Sequence, residues 1–370
     1  MRFPILLAAL ALGVAVLFAI SLLVGPAGIA PARALAALIR GEGVAETLVM
    51  REIRLPRALL AVMIGASLGL AGAAMQGYLR NPLAEPGLIG VSGSAALGAV
   101  LALQTGLAAA FALALPLAAL AGAVLAVGLI LLLAGRSGGS ITLILAGIAV
   151  SAMTGALTSL VLNLSPNPFA AAEIVFWMMG SLADRSMVHV WSALPFMLVG
   201  WALLATLGRG LDALTLGEDA AATMGVSLSR LRLMLIGGTA CVVGAGTAVA
   251  GAIGFIGLVV PHILRPAVGA RPSRLLAASA LGGAAMLLAA DIAVRLILPG
   301  LREVMATQGR LADSLGMHGA TRLRLVTLPR LRRPIGFAAG LTAALSMGDL
   351  GVIMLFAQRE GATLPMQLYG

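Results

Sequence analysis

Few residues of this chain could do chemistry, and most of those stand in one short stretch. In RNPLAEPGLIGVSGSAALG (80–98), Arg80, Asn81 and Glu85 offer charge and hydrogen bonds, Pro82 and Pro86 break a regular helix, and Gly90 opens a glycine-dense run. Such backbone is costly in hydrocarbon unless it meets water or packs inside protein, as along a transport pathway. The same stretch holds Gly90-Val91-Ser92-Gly93, where Ser92 could serve as a nucleophile with His262 as its base. Asp291 lies within an apolar span, four residues before Arg295, a spacing that puts both on one helix face. A structural pair is the default, because no second acid accompanies Asp291 to relay protons. His262, beside Pro261, and Cys241, the single cysteine, read as structural residues. The sequence therefore offers no catalytic set and no metal-ligand set.

Membrane helices must position these groups. At 61% hydrophobic and 10% charged residues with a mean hydropathy of +1.07, the chain carries more apolar surface than a soluble core could absorb. The fold class is an all-α polytopic membrane protein. Apolar runs predict nine to ten transmembrane helices, near 3–24, 58–77, 87–105, 109–134, 140–163, 188–207, 231–250, 252–268, 275–298 and 335–357. The first run has no clear small-residue cleavage site before Pro26 and Pro31 and reads as a retained helix. The 47 glycines permit close approach of helix backbones.

All 24 basic residues are arginine, and the charge of +10 would suit nucleic acid if it were clustered. It is scattered among loops between apolar runs, which membrane topology explains instead. An inside N-terminus places Arg80, Arg136, Arg209, Arg230, Arg232, Arg271 and Arg274 in cytoplasmic loops, and Arg33 to Arg57 outside.

A second informative string, TLGEDAAATMGVSLSRLRLM (215–234), predicts a short surface helix. Glu218 and Asp219 suit a helix start, Ala220 to Ala222 sustain it, and Gly225 ends it. Such a helix can dock in a partner's groove, and the plainer reading is a capped loop.

A third string, GAIGFIGLVVPHILRPAVGARPSRLL (251–276), is followed by ADIAVRL (290–296). With LPRALLAVMIGASLGLAGAAMQGYLRNPLAEPGLIGVSGSAALG (55–98), NPFAAAEIVFWMMGSL (167–182) and LGEDAAATMGV (216–226), these resemble FecCD/BtuC-like permease subunits of ABC importers for iron siderophores, haem and cobalamin, over residues 1–298. The resemblance implies ten helices per subunit, a homodimer, two cytoplasmic ABC ATPases, a periplasmic or extracytoplasmic binding protein, and the bacterial cytoplasmic membrane. No GxxxxGK[ST] loop occurs, so ATP and Mg belong to the partner ATPase and this chain binds no cofactor.

By the same resemblance Glu218, Asp219, Ala221, Met224 and Gly225 form the ATPase-coupling loop. Arg54, Arg57 and Arg295 face carboxylates of the binding protein, the alternative being interfacial snorkelling. Arg80, Asn81, Pro82 and Glu85 form a cytoplasmic-side turn, and Gly90 permits close approach to the pathway. The cargo is selected by the binding protein, so no substrate ligand is assigned and siderophore, haem and cobalamin stay open.

After Pro299 the importer resemblance stops. Residues 310–334 resemble the coupling loop of another importer class, through Ala312, Gly316, Leu328 and Pro329, and the stretches 336–356 and 363–369 resemble a thiamine-importer permease. The expected domains are therefore 1–298, the permease, and 299–370, a fused tail with one further helix. Leu301 to Met317 is too polar for an ordinary span, holding Arg302, Glu303, Arg310 and Asp313. An inactive fusion of two permease genes is one alternative. A secondary transporter is another, weakened by the scarcity of acids, and the Ser92 string also resembles rhomboid-like proteases, without their further site residues.

Overall fold

The computed structural model describes residues 3–25, 27–111, 113–135, 140–165 and 178–314, then 316–317, 321, 323–331 and 336. It divides into two compact units, Leu7–Asp291 and Met1–Leu6 with Ile292–Gly370. The described secondary structure is helical throughout. Seven described helical segments are long and apolar enough to cross a membrane.

The chain opens with α1 (Phe3–Leu23), almost wholly apolar. A surface cap follows: α2 (Pro31–Arg40) starts on a proline and stops at Gly41, whose left-handed φ of 73° suits glycine. α3 (Val44–Leu48) leads through a π-turn, Val49–Arg54, into α4 (Leu55–Leu79). Leu22, Ala34, Ala37, Met50 and Ala58 pack together beneath this cap. The remaining helices are α5 (Val91–Gln104), α6 (Leu107–Ala110), α7 (Ala114–Ala134), α8 (Ser140–Asn163), α9 (Met187–Ala205), α10 (Gly208–Leu214), α11 (Glu218–Thr223), α12 (Leu228–Ala250), α13 (Ile256–Leu264) and α14 (Pro272–Ser314).

Apolar composition all round a helix does not say which helices sit inside; small residues do. In their most apolar stretches α4 is 83% buried and α12 78%, against 28–33% for α7, α8 and α9. The inner helices are the glycine-rich ones. A Cβ on Gly65 would strike the Gly283 carbonyl, and one on Gly69 the Ser279 carbonyl, so α4 and α14 lie antiparallel with backbones touching. Gly98 meets Ala118 in the same way, and Gly122 meets Ser94, joining α5 to α7. Trp201 Nε1 donates to Ser67 Oγ at 2.9 Å, tying α9 to the middle of α4.

The predicted spans agree with the observed helices to within a few residues up to α13. One boundary does not. α14 continues through Pro299 to Ser314, so the helix runs past the span expected at 275–298 and takes in the polar segment from Leu301. The span expected at 335–357 lies outside the described residues, apart from Gly336.

Candidate functional site

Three arginines at intervals of three, Arg51, Arg54 and Arg57, show how local sequence becomes a fixed surface. Arg51 donates to the carbonyls of Leu38 (2.9 Å) and Ile39 (3.3 Å), where α2 ends. Arg54 is 4% exposed and donates through Nη1 to the carbonyls of Leu22 (2.8 Å) and Leu23 (3.0 Å), satisfying acceptors that the end of α1 leaves open. Arg57 Nε donates to Asp291 Oδ1 at 2.7 Å, and Nη2 lies in ion-pair contact with the same oxygen at 2.7 Å.

These contacts correct one expectation and extend another. Arg54 turns inward to cap α1, so its guanidinium is not presented to a partner. Asp291, which shares a helix face with Arg295, also meets Arg57 on α4, because antiparallel packing of α4 and α14 brings these two ends together. Arg295 itself is half-buried on α14.

The proline-broken stretch at 80–90 and the glycine-rich stretch at 251–265 meet in space. Arg80 takes a left-handed φ of 50°, and Asn81 N–H returns to the Gln76 carbonyl at 3.2 Å, ending α4. Asn81 Oδ1 accepts from Leu83 N–H at 2.9 Å, an Asx turn that exposes Pro82 and Leu83. Glu85 Oε1 accepts from Phe255 N–H at 3.3 Å, in the break between α12 and α13. Phe255 has a φ of 67° and is 71% exposed. Gln76, 1% exposed, donates to the Leu258 carbonyl at 3.2 Å and accepts from Arg265 Nη2 at 2.7 Å. Gly90, at a φ of 73°, starts α5 with Ser151 of α8 at contact distance. The turn is thus a braced joint between broken helices, built partly from Gln76 and Arg265, which the sequence reading passed over.

The loop from 208 to 227 is built in two storeys. α10 is the stem, with Gly77 of α4 against Leu211, Gly208 against Ser273, and Gly210 against Leu231. Asp212 on this stem accepts from Ser273 N–H (2.8 Å), Ser273 Oγ (2.7 Å) and Arg271 Nε (2.9 Å). Partial burial would raise its carboxyl, but the hydrogen bonds from Ser273 and Arg271 prevail and hold it below the ordinary carboxylate range. α11 stands above, begun by Glu218 and Asp219. It ends where Gly225 adopts a φ of 84°, with Val226 N–H bonded to the Ala221 carbonyl and Gly225 N–H to that of Ala222.

Ala221 is fully buried and seats α11 on the stem, so it cannot face a partner as expected. What α11 presents is Asp219, Met224 and Gly225, with Leu216, which the sequence reading missed; Leu216 is 69% and Met224 63% exposed. Arg232, expected in the loop, is buried and donates to the Gly135 carbonyl at 2.8 Å.

In the tail, Ala312 lies on α14, Gly316 has a φ of 66°, and Leu328 and Pro329 follow a π-turn at Leu323–Thr327. Arg136, residues 167–177 of the NPFAAAEIVFWMMGSL string and the stretches 337–356 and 363–369 lie outside the described residues. No hydrogen bond joins Ser92 to His262 among the described residues, so the pair lacks the contact that would activate a serine. A cavity of about 410 Å³ among α5, α7 and α8 is walled chiefly by Leu97, Leu101, Leu125, Leu129 and Met153, with Ser94, Thr105 and Thr154 as its polar lining.

Known proteins with this pattern are transport subunits. The FecCD transport family matches residues 13–308. A cobalamin import system permease protein of Halobacterium salinarum is 40% identical over 255 residues, covering 68% of this chain and 69% of that protein. The Fe(3+) dicitrate transport system permease protein of Escherichia coli is 37% identical over 253 residues, covering 68% and 78%. Among solved structures, an inward-facing metal-chelate type ABC transporter aligns with a TM-score of 0.71 at 32% identity, covering 79% of this chain and 91% of its own.

Proposed function

The chain belongs to the FecCD transport family, a multi-pass membrane protein, and from that premise we propose that it is the permease subunit of an ATP-driven, binding-protein-dependent importer. Its cargo is an iron chelate, ferric siderophore or haem, or cobalamin. The observation that carries this reading is α11, a six-residue helix held on a braced stem with Leu216 and Met224 turned outward. An apolar knob on a rigid support fits a groove in a cytoplasmic ABC ATPase, which holds the ATP and Mg.

Two copies of the chain enclose the pathway in the bacterial cytoplasmic membrane, with an ATPase pair on one face and an extracytoplasmic binding protein on the other. ATP-driven closure of the ATPases moves α11 and tilts the helices above it, giving alternating access. The braced joint at Arg80–Glu85 and Phe255 lies along the pathway. Arg57 and Arg295 register the binding protein, whose carboxylates compete with Asp291 for Arg57.

We further propose that the C-terminal segment, from Ala312 at the end of α14 through Gly316, Leu328 and Pro329, is fused from another permease gene of the thiamine-importer kind. Replacing it with the family's own final helix separates a disabled fusion from a tolerated one.

The test is co-purification of the full chain with candidate ATPases in lipid, followed by binding-protein-stimulated ATP hydrolysis. Stimulation supports the proposal, and uptake that persists with an inactivated ATPase contradicts it.

A further inference from the structure

Resting on the coupling reading above, we infer that Asp212 is a positioning residue for coupling, clamping the stem of α11 to the start of α14 so that movement at Leu216 and Met224 enters the α4–α14 pair. The first turn of a helix leaves N–H groups without intrahelical acceptors. α14 begins at Pro272, preceded by Arg271, which carries no side-chain acceptor of its own. The acceptor comes instead from another element. Asp212 takes Ser273 N–H at 2.8 Å and Ser273 Oγ at 2.7 Å, and Arg271 Nε adds a third bond at 2.9 Å. Bonds to a carboxylate are the stronger and more directional kind.

Around this clamp the fit is close. A Cβ on Gly208 would lie 3.2 Å from Ser273, and Leu231 stands 2.6 Å from the Cβ position of Gly210. The stem cannot slide without carrying α14 and α12 with it. From Ser273, α14 runs back along α4 in one register: Ser279 on Gly69, Gly283 on Gly65, Asp291 on Arg57. From Ser273 to Asp291 that span is about 27 Å at a rise of ~1.5 Å per residue. Backbones in contact have no soft side chains between them to absorb a shift, so the pair moves as one strut.

Trp201 reports on this strut because its Nε1 donates to Ser67 of α4 at 2.9 Å. With Trp177→Phe and Trp191→Phe, 5-fluorotryptophan labels this position alone. The full chain, bound to its ATPase in nanodiscs, is trapped with Mg-ATP and vanadate and read by fluorine NMR. The parent is expected to show a shifted resonance on trapping. With ATPase at saturating concentration, Asp212→Ala is expected to lose the shift, while Asp212→Asn, which keeps an acceptor for Ser273 N–H, regains part of it. Ser273→Ala, expected to act in the same direction, stands in if Asp212→Ala does not fold. An unchanged shift in a folded variant overturns the inference, as does a parent that binds ATPase and shows none. A folded parent that binds no ATPase overturns the proposed function instead.

Discussion

Arg57 and Asp291, 234 residues apart in sequence, share a hydrogen bond of 2.7 Å and an ion-pair contact of 2.7 Å where the antiparallel pair α4 and α14 ends. The aspartate side chain is 3% exposed, so the pair is desolvated and each charge depends on the other. Removing one partner strands a buried charge. Asp291→Ala is expected to destabilise the protein by about 3–5 kcal/mol, and Arg57→Ala/Asp291→Ala by less than the sum of the two single changes. Denaturant titration in detergent micelles measures this, and additive effects would contradict it.

Backbone contacts of α4 with α14 and α13 also predict a sharp division among glycines. Gly69→Ala drives a methyl into the Ser279 carbonyl and Gly72→Ala into that of Gly257, expected to cost at least about 1–3 kcal/mol each. At Gly13 and Gly128 nothing lies within 4 Å of a new Cβ, so alanine there is expected to be neutral or to stabilise by about 0.5–1 kcal/mol. Thermal unfolding of the four variants should separate them into two groups.

Met224→Glu and Leu216→Glu change exposed side chains and are expected to alter stability by no more than about 0.5 kcal/mol. Each is expected to weaken ATPase binding about tenfold or more, the loss of one interface anchor. Ala221→Glu behaves differently, since it buries a charge beneath α11 and loosens the loop itself. Limited proteolysis beside ATPase affinity distinguishes the two effects.

Asp212 predicts a pH dependence. Its folded-state pKa lies below the unfolded value of about 3.9, so its stabilisation is complete above that pH and is lost as pH falls through the folded pKa. Below about pH 4, Tm should therefore fall more steeply for the parent than for Asp212→Asn, with no such difference between about pH 6 and pH 5. Parallel curves would contradict the account.

How much of this was legible in sequence depends on range. Helix ends were readable where the signal is local: Gly225 terminates α11 as its left-handed preference requires, and Pro82 and Pro86 mark the turn after α4. Long-range pairing was not. Nothing near Asp291 says that Arg57 pairs with it, because the two lie 234 residues apart and meet only through helix packing. Arg54 and Arg57 look alike in REIRLPR, yet one faces the end of α1 and the other faces α14. Ala221 and Met224 share one short helix, and only tertiary packing decides which points outward. Asp212 was invisible for the same reason, since its three donors come from residues 271 and 273. Pro299 misled in the other direction, because a proline that usually ends a helix is carried within α14.

On the proposed function, the chain moves cargo only when a separate ATPase drives it through α11. The most direct measurement is uptake of cyanocobalamin, ferric citrate and haemin into proteoliposomes holding the full chain, its ATPase and a binding protein, with active and hydrolysis-dead ATPase. ATP-dependent accumulation of one of the three, abolished with the dead ATPase and by Met224→Glu, is the predicted result. Uptake indifferent to ATP hydrolysis, or a folded chain that binds no ATPase, would contradict it.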